Sequence, residues 1–174
     1  MLQILAATSN KHKVEEFKAA FAPLLSKMTI LTADEIHGYP DIEENGTSFE
    51  ENADIKAREA SAYADMPAFA DDSGLEVAVL NGAPGIFSAR YAGDHASDAE
   101  RIRKLLEEMK GKTNRRARFV CVIALAYRGN SVKTFRGEVN GTIIEEPRGN
   151  HGFGYDPVFV PDGYDKTFGE LGPE

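Results

Sequence analysis

Five short stretches of the chain combine residue types that can hold or cleave a charged ligand. Thr8-Ser9-Asn10-Lys11-His12-Lys13 stands where an apolar run gives way to a polar, amphipathic one. A helix starting there offers unpaired backbone N–H groups and a partial positive charge, which suits a phosphate. The hydroxyls of Thr8 and Ser9 and the Lys13 ammonium converge on the same point. The stretch has no glycine, so it is not a Walker A loop. On spacing alone it is either a phosphate site or an ordinary N-cap followed by solvated lysines. The second stretch is a set of carboxylates: Asp71 and Asp72 in Asp-Asp-Ser-Gly, with Glu43 and Glu44 in an irregular acidic loop. Two or three carboxylates beside a triphosphate are what Mg²⁺ requires, and one of them can draw a proton from water. The alternatives are a plain turn and a solvated loop.

Asn52 and Lys56, four apart, share a helix face; Lys56 is either a second phosphate contact or a surface lysine, and periodicity alone favours the surface. Gly82-Ala-Pro-Gly85 leads to Arg90 and Tyr91. Arg90 is either an anion fork or the partner of a nearby carboxylate. In Gly149-Asn-His-Gly152-Phe-Gly154-Tyr-Asp156, glycines flank Phe153 and let backbone approach a planar ligand, on which the ring can stack. Asp156 is an acceptor for base or sugar donors; the alternative is a structural turn with two buried aromatics.

The elements that must position these residues can be read in outline. Leu2–Thr8 reads as a buried strand running into a helix capped at Ser9-Asn10, with Val14, Phe17, Ala20 and Phe21 on one face. Residues 28–32 suit a second strand. Capping boxes at Ser48–Glu51 and Ser97–Glu100 open helices to about Ala64 and Lys110. Ala68–Ala70 and Leu75–Leu80 read as short strands on either side of a turn at Asp71–Gly74. After residue 117 the chain turns β: Arg118–Tyr127, Val132–Val139, Thr142–Glu145 and Pro157–Val160, with hairpin signals at Gly129-Asn130 and Asn140-Gly141. The order predicts an α/β domain with a mixed sheet.

Composition narrows the classes. The 174 residues suffice for one domain or two intimate lobes, and no linker, repeat or low-complexity stretch divides them. A formal charge of -8 argues against coating nucleic acid or anionic membrane by bulk charge. Lys110, Lys112, Arg115, Arg116 and Arg118 form the one basic cluster, but without interleaved aromatics it reads as a solvated loop. The single cysteine, Cys121, excludes an internal disulfide framework and reads as inert core; histidine spacings match no metal motif. Leu2–Ala7 is too short for a signal peptide, and the longest apolar run, Phe119–Tyr127, is about half a membrane span. A soluble cytoplasmic protein follows.

Together these segments resemble the RdgB-type inosine triphosphatase family. The matching pieces are Thr8-Ser9-Asn10-x-x-Lys13; Glu43-x-x-Gly46; Phe49-x-Glu51-Asn52-Ala53-x-x-Lys56-Ala57; Ala70-Asp71-Asp72-Ser73-Gly74-Leu75; Gly82-Ala-Pro-Gly85 with Ser88-Ala89-Arg90-Tyr91; and Gly152-Phe153-Gly154-Tyr155-Asp156-Pro157. They stand in the family's order over nearly the whole chain. The resemblance implies Mg²⁺-dependent hydrolysis of ITP, dITP and XTP to the monophosphate and pyrophosphate. It also implies an elongated mixed sheet flanked by helices, two lobes with a central cleft, and a homodimer. Carried over, Thr8, Ser9, Asn10, Lys11, His12 and Lys13 bind phosphates, with Lys56 and Arg90 near them. Glu43 and Asp72 serve the metal, Asp72 also being the proton acceptor; Ser73 contacts substrate; Phe153, Gly154, Tyr155 and Asp156 hold the base. A metal-bound carboxylate is a weak base, so Asp72 either takes the proton or positions the water. A pyrophosphatase for modified pyrimidine triphosphates, or a silent nucleotide-binding module, would carry the same phosphate segments. The family's pattern continues past Glu170-Leu171 with a lysine, a Ser-His-Arg segment on the purine and a last helix, which these residues do not include.

Overall fold

The computed structural model describes residues 2–8 and 10–172. In chain order the elements are β1 (Leu2–Ala6), α1 (Lys11–Ala20), β2 (Met28–Thr32), α2 (Phe49–Ala64), β3 (Ala68–Val77), α3 (Asp98–Glu108), β4 (Arg116–Tyr127), β5 (Asn130–Ile143), β6 (Phe159–Pro161) and α4 (Phe168–Leu171). The strands form one sheet in the order β2-β1-β3-β4-β5-β6. β1 is parallel to both β2 and β3, and β6 is antiparallel to β5, so the sheet is mixed, as the sequence predicts. The chain divides into two compact units, Met1–Asp72 with Cys121–Arg136 and Ser73–Val120 with Gly137–Glu174.

The first unit is built on β2-β1-β3. From β1 the chain crosses to β2 on one side and, through α2, to β3 on the other. β1 is thus the point at which the strand order reverses, and open α/β sheets bind ligands beyond the carboxyl ends of strands at such a point. Val14 and Phe17 bury the inner stripe of α1. Phe17 and Phe21 meet Phe69 of β3 edge-on at 5.0 and 5.6 Å, with Ala6 and Ile30 completing the cluster. The stripe of α2 is small instead: Ala53, Ala57 and Ala60 are buried with Asn52 and Ser61. Small residues there bring the helix close to its neighbours.

In the second unit, α3 buries Ile102, Leu105 and Met109 against Leu75, Val77, Ile143, Tyr155, Val158 and Phe159. Ser97 caps α3 with a full capping box to Glu100, and Thr167 caps α4 with Glu170 in the same way.

Two turns expected from sequence are absent. β3 runs unbroken through Asp71–Gly74, because its neighbours supply partners for both carboxylates. Gly74 serves close approach: a Cβ there would lie 2.5 Å from Gly85 O and Ser88 Oγ. β5 likewise runs through Asn140-Gly141, where a Cβ on Gly141 would meet Val160 O at 2.4 Å and the Phe159 ring at 2.5 Å. The hairpin expected at Gly129-Asn130 forms one residue earlier, with Arg128 and Gly129 at φ of 51° and 72°, the paired left-handed geometry of a tight antiparallel turn. The last strand begins at Phe159, after a 3-10 turn over Asp156–Val158. Cys121 is exposed rather than core.

Candidate active site

Most of the charged residues singled out from sequence lie in the first unit, Asp71 and Asp72 on β3 itself. Asn10 caps α1, its Oδ1 accepting from the backbone N–H of His12 at 3.0 Å and of Lys13 at 3.4 Å. Thr8 Oγ1 accepts from Asn10 N at 3.1 Å. Lys11 and His12 are exposed, and Ser9 lies outside the described residues. Side chains alternate along a strand, so Asp71 and Asp72 point to opposite faces. On one face Lys13 Nζ donates to Asp71 Oδ2 at 2.6 Å. Burial alone would pull the Lys13 ammonium down, but the charge and hydrogen bond of Asp71, with Asp72 behind, carry it above its ordinary value.

On the other face stands Asn52, fully buried. Its side-chain N–H donates to Asp72 Oδ2 at 3.0 Å while its Oδ1 accepts from Gly46 N at 2.8 Å. One amide thus links the Asp72 carboxylate to the acidic loop. In that loop Glu44 pairs with Lys56 at 3.0 Å, and Glu43 next to it is exposed. Burial pushes the Asp72 carboxyl above its ordinary value, against Lys56, Asn52 and Lys13 and with help from Glu44. A buried carboxylate held this way is charged at a cost that an arriving cation relieves.

The second unit holds the remaining candidates. Ser73 follows Asp72 and is half-buried. Arg90 ends a 3-10 turn over Gly85–Arg90 and lies over the Phe87 ring at 5.1 Å. Gly152 and Gly154 adopt φ of 72° and 61°, which turns the loop around Phe153. Phe153 N donates to Asp156 Oδ2 at 2.9 Å, Gly154 N donates to Asp98 Oδ2 at 2.7 Å, and the buried Tyr155 donates its hydroxyl to Ser88 O at 2.9 Å. Burial holds the Tyr155 phenol well above its usual range.

The three arginines of the basic cluster are tied to acceptors of their own unit. Arg115 donates to Ile143 O and Ile144 O, Arg116 makes a two-pronged pair with Asp162, and Arg118 bridges Glu76 and Glu138. Sequence reading left three residues without a role that the geometry gives them: Asn52, Ser88 and Asp98. The four-residue spacing to Lys56 marks Asn52's face, but nothing local marks Asp98, whose partner is 56 positions away.

Comparison with known proteins places the chain among characterised relatives. A dITP/XTP pyrophosphatase of Deinococcus deserti is 47% identical over 169 residues, covering 97% of this chain and 78% of the relative. The enzyme of the same description from Bacillus licheniformis is 47% identical over 173 residues, covering 98% and 87%. The structure of a HAM1 protein from Coxiella burnetii superposes with a TM-score of 0.89 at 45% identity, covering 99% of this chain and 88% of that one. A nucleoside-triphosphatase / dITP/XTP pyrophosphatase from Mycobacterium abscessus gives 0.83 at 38% identity, covering 98% and 89%. These likenesses bear out the resemblance drawn from the six motifs. With its residues 4–174 matched by the model of the Ham1 family, the chain belongs to that family.

Proposed function

We propose that the protein hydrolyses dITP, XTP and ITP to the nucleoside monophosphate and pyrophosphate, clearing deaminated purines from the nucleotide pool. The observation that carries this reading is Asp72: a buried strand carboxylate, lifted above its usual range and flanked by two lysines, in a chain 47% identical to dITP/XTP pyrophosphatases. Thr8, Ser9, Asn10, Lys11, His12 and Lys13 receive the phosphates through hydroxyls, backbone N–H groups and the Lys13 ammonium. Lys56 and Arg90 add positive charge toward the phosphates, and Ser73 contacts the substrate. Asp72 orients the attacking water at the α-phosphorus as pyrophosphate leaves; because it also serves the metal and is then a weak base, the proton of the water passes to solvent. Phe153 stacks on the base, and the Gly154–Asp156 segment holds its edge.

The donors are all oxygen, the set a hard cation prefers. Among the described residues no three His, Cys, Asp or Glu side chains converge, so the chain offers one or two carboxylates and not a closed cage. Such a site suits Mg²⁺ completed by water and phosphate oxygens, with Glu43 and Asp72 as its protein ligands, and the ion would offset charge on the leaving pyrophosphate. We also assign the working form to a cytoplasmic homodimer. The exposed apolar side chains of β5 support the pairing: Val132 and Phe135 are 59% and 52% exposed. Light scattering on the purified protein measures its mass directly.

Pyrophosphate release from ITP, dITP, XTP, ATP, GTP, dUTP and methylated pyrimidine triphosphates, with Mg²⁺ and with EDTA, tests the activity. Inosine and xanthosine nucleotides should turn over fastest, and only with the metal. Faster turnover of a pyrimidine substrate, or nucleotide binding without turnover, would overturn it.

A further inference from the structure

The loop that carries Phe153 is fastened at three points within its unit. Two consecutive backbone donors are each met by a carboxylate: Phe153 N by Asp156 at 2.9 Å, from within the loop, and Gly154 N by Asp98 at 2.7 Å, from the first turn of α3. The third point is the Tyr155 hydroxyl on Ser88 O. Asp98 is itself held, because its other oxygen accepts from Arg101, which also donates to Ala89 O at 2.6 Å. A chain of hydrogen bonds therefore runs from the Gly85–Arg90 turn through α3 to the loop.

Asp98 is not needed to start the helix, since Ser97 and Glu100 already close the capping box. Nor is it core, its side chain being 42% exposed. Its long-range hydrogen bond is the one from Gly154 N. We infer that Asp98 is a positioning residue that sets where the loop presents Phe153, and thereby governs affinity for the base without touching the phosphate chemistry. This rests on the reading of Phe153–Asp156 as the base site.

The experiment measures kcat and KM for ITP, and the inhibition constant of inorganic tripolyphosphate, which has phosphates but no base. Asp98→Ala should raise KM about fivefold, the loss of one charge-assisted hydrogen bond at a half-exposed site. It should leave kcat and tripolyphosphate inhibition within about twofold. Asp98→Asn, which keeps an acceptor, should restore most of the KM. Should Asp98→Ala fail to fold, Asp98→Ser decides: serine suits a helix start but is too short to reach Gly154 N, and the same KM rise is expected. Phe153→Ala separates the two readings. If it raises KM while the Asp98 variants do not, the inference fails and the base site stands. If neither change moves KM, the base site fails and the inference with it. A fall in kcat, or tripolyphosphate inhibition weakened in step with KM, would show general disturbance and overturn the positioning role.

Discussion

Removing the Asn52 amide should cost both stability and turnover, and the structure sets the scale. Asn52 is 0% exposed and makes two bonds, 3.0 Å to Asp72 and 2.8 Å from Gly46. Asn52→Ala leaves the Gly46 N–H unpaired, about 1–3 kcal/mol, and strips a charge-assisted donor from Asp72, about 1.5–3 kcal/mol. Water entering the vacated space recovers part of this, leaving about 3 kcal/mol, or roughly 6–12 °C in melting temperature for a chain of this size. Turnover should fall roughly a hundredfold, because a carboxylate displaced by about 1 Å no longer aims the water. Asn52→Asp removes the cavity from the argument: it keeps the volume and the Gly46 acceptor but sets a second carboxyl against Asp72. Circular dichroism melts and pyrophosphate release from ITP measure the two effects. If Asn52→Asp turned over ITP within about twofold of the wild type, the amide would not be what positions Asp72.

Three further changes test neighbouring steps. The folded-state value of Asp72 lies above its ordinary 3.8, so the stability this carboxyl lends is whole below 3.8 and lost as pH rises through the folded value. Asp72→Asn should therefore melt above the wild type at neutral pH in EDTA, match it in acid, and lose turnover by at least several tens-fold, as melts across the pH range and the ITP assay would record. Asp71→Ala strands Lys13, whose side chain is only 19% exposed, and should cost about 2–3 kcal/mol by urea unfolding. Adding Lys13→Met should return most of that, while the double variant binds tripolyphosphate more weakly than the wild type. Ser97→Ala removes the cap of α3 and should lower stability by about 1 kcal/mol, with kcat for ITP unchanged.

Much of this arrangement was legible in the residues. Ser48–Glu51 and Ser97–Glu100 mark their helices almost to the residue, because capping is local chemistry, but only the second closes as a full box: Glu51 accepts from Thr47 N rather than from Ser48 N. Asn10 as the cap of α1 was legible for the same reason, and the strand at 28–32 also stands where the sequence puts it. What misled were Asp71–Gly74 and Asn140-Gly141, whose composition is that of turns. There the deciding partners come from elsewhere in the chain: Lys13 and Asn52 for the aspartates, Phe159 and Val160 for Gly141. Cys121 sits in an apolar run yet faces outward, since alternation in a strand gives every second residue to the other side. In the acidic loop, sequence singled out Glu43 and Glu44 alike, but only packing shows that Glu44 is the one taken up by Lys56.

The adjacent aspartates of β3 look like duplicates, yet neither can serve as a spare for the other. Asp71 is a fixed counter-ion to Lys13, whereas Asp72 bears an uncomfortable charge beside Asn52. In a library of single substitutions scored for protein abundance and, separately, for activity, the two positions should part company. Changes at Asp71 should deplete the protein itself. Asparagine at position 72 should leave it plentiful and inert. Between one residue and the next, the map of what keeps the molecule folded gives way to the map of what it does.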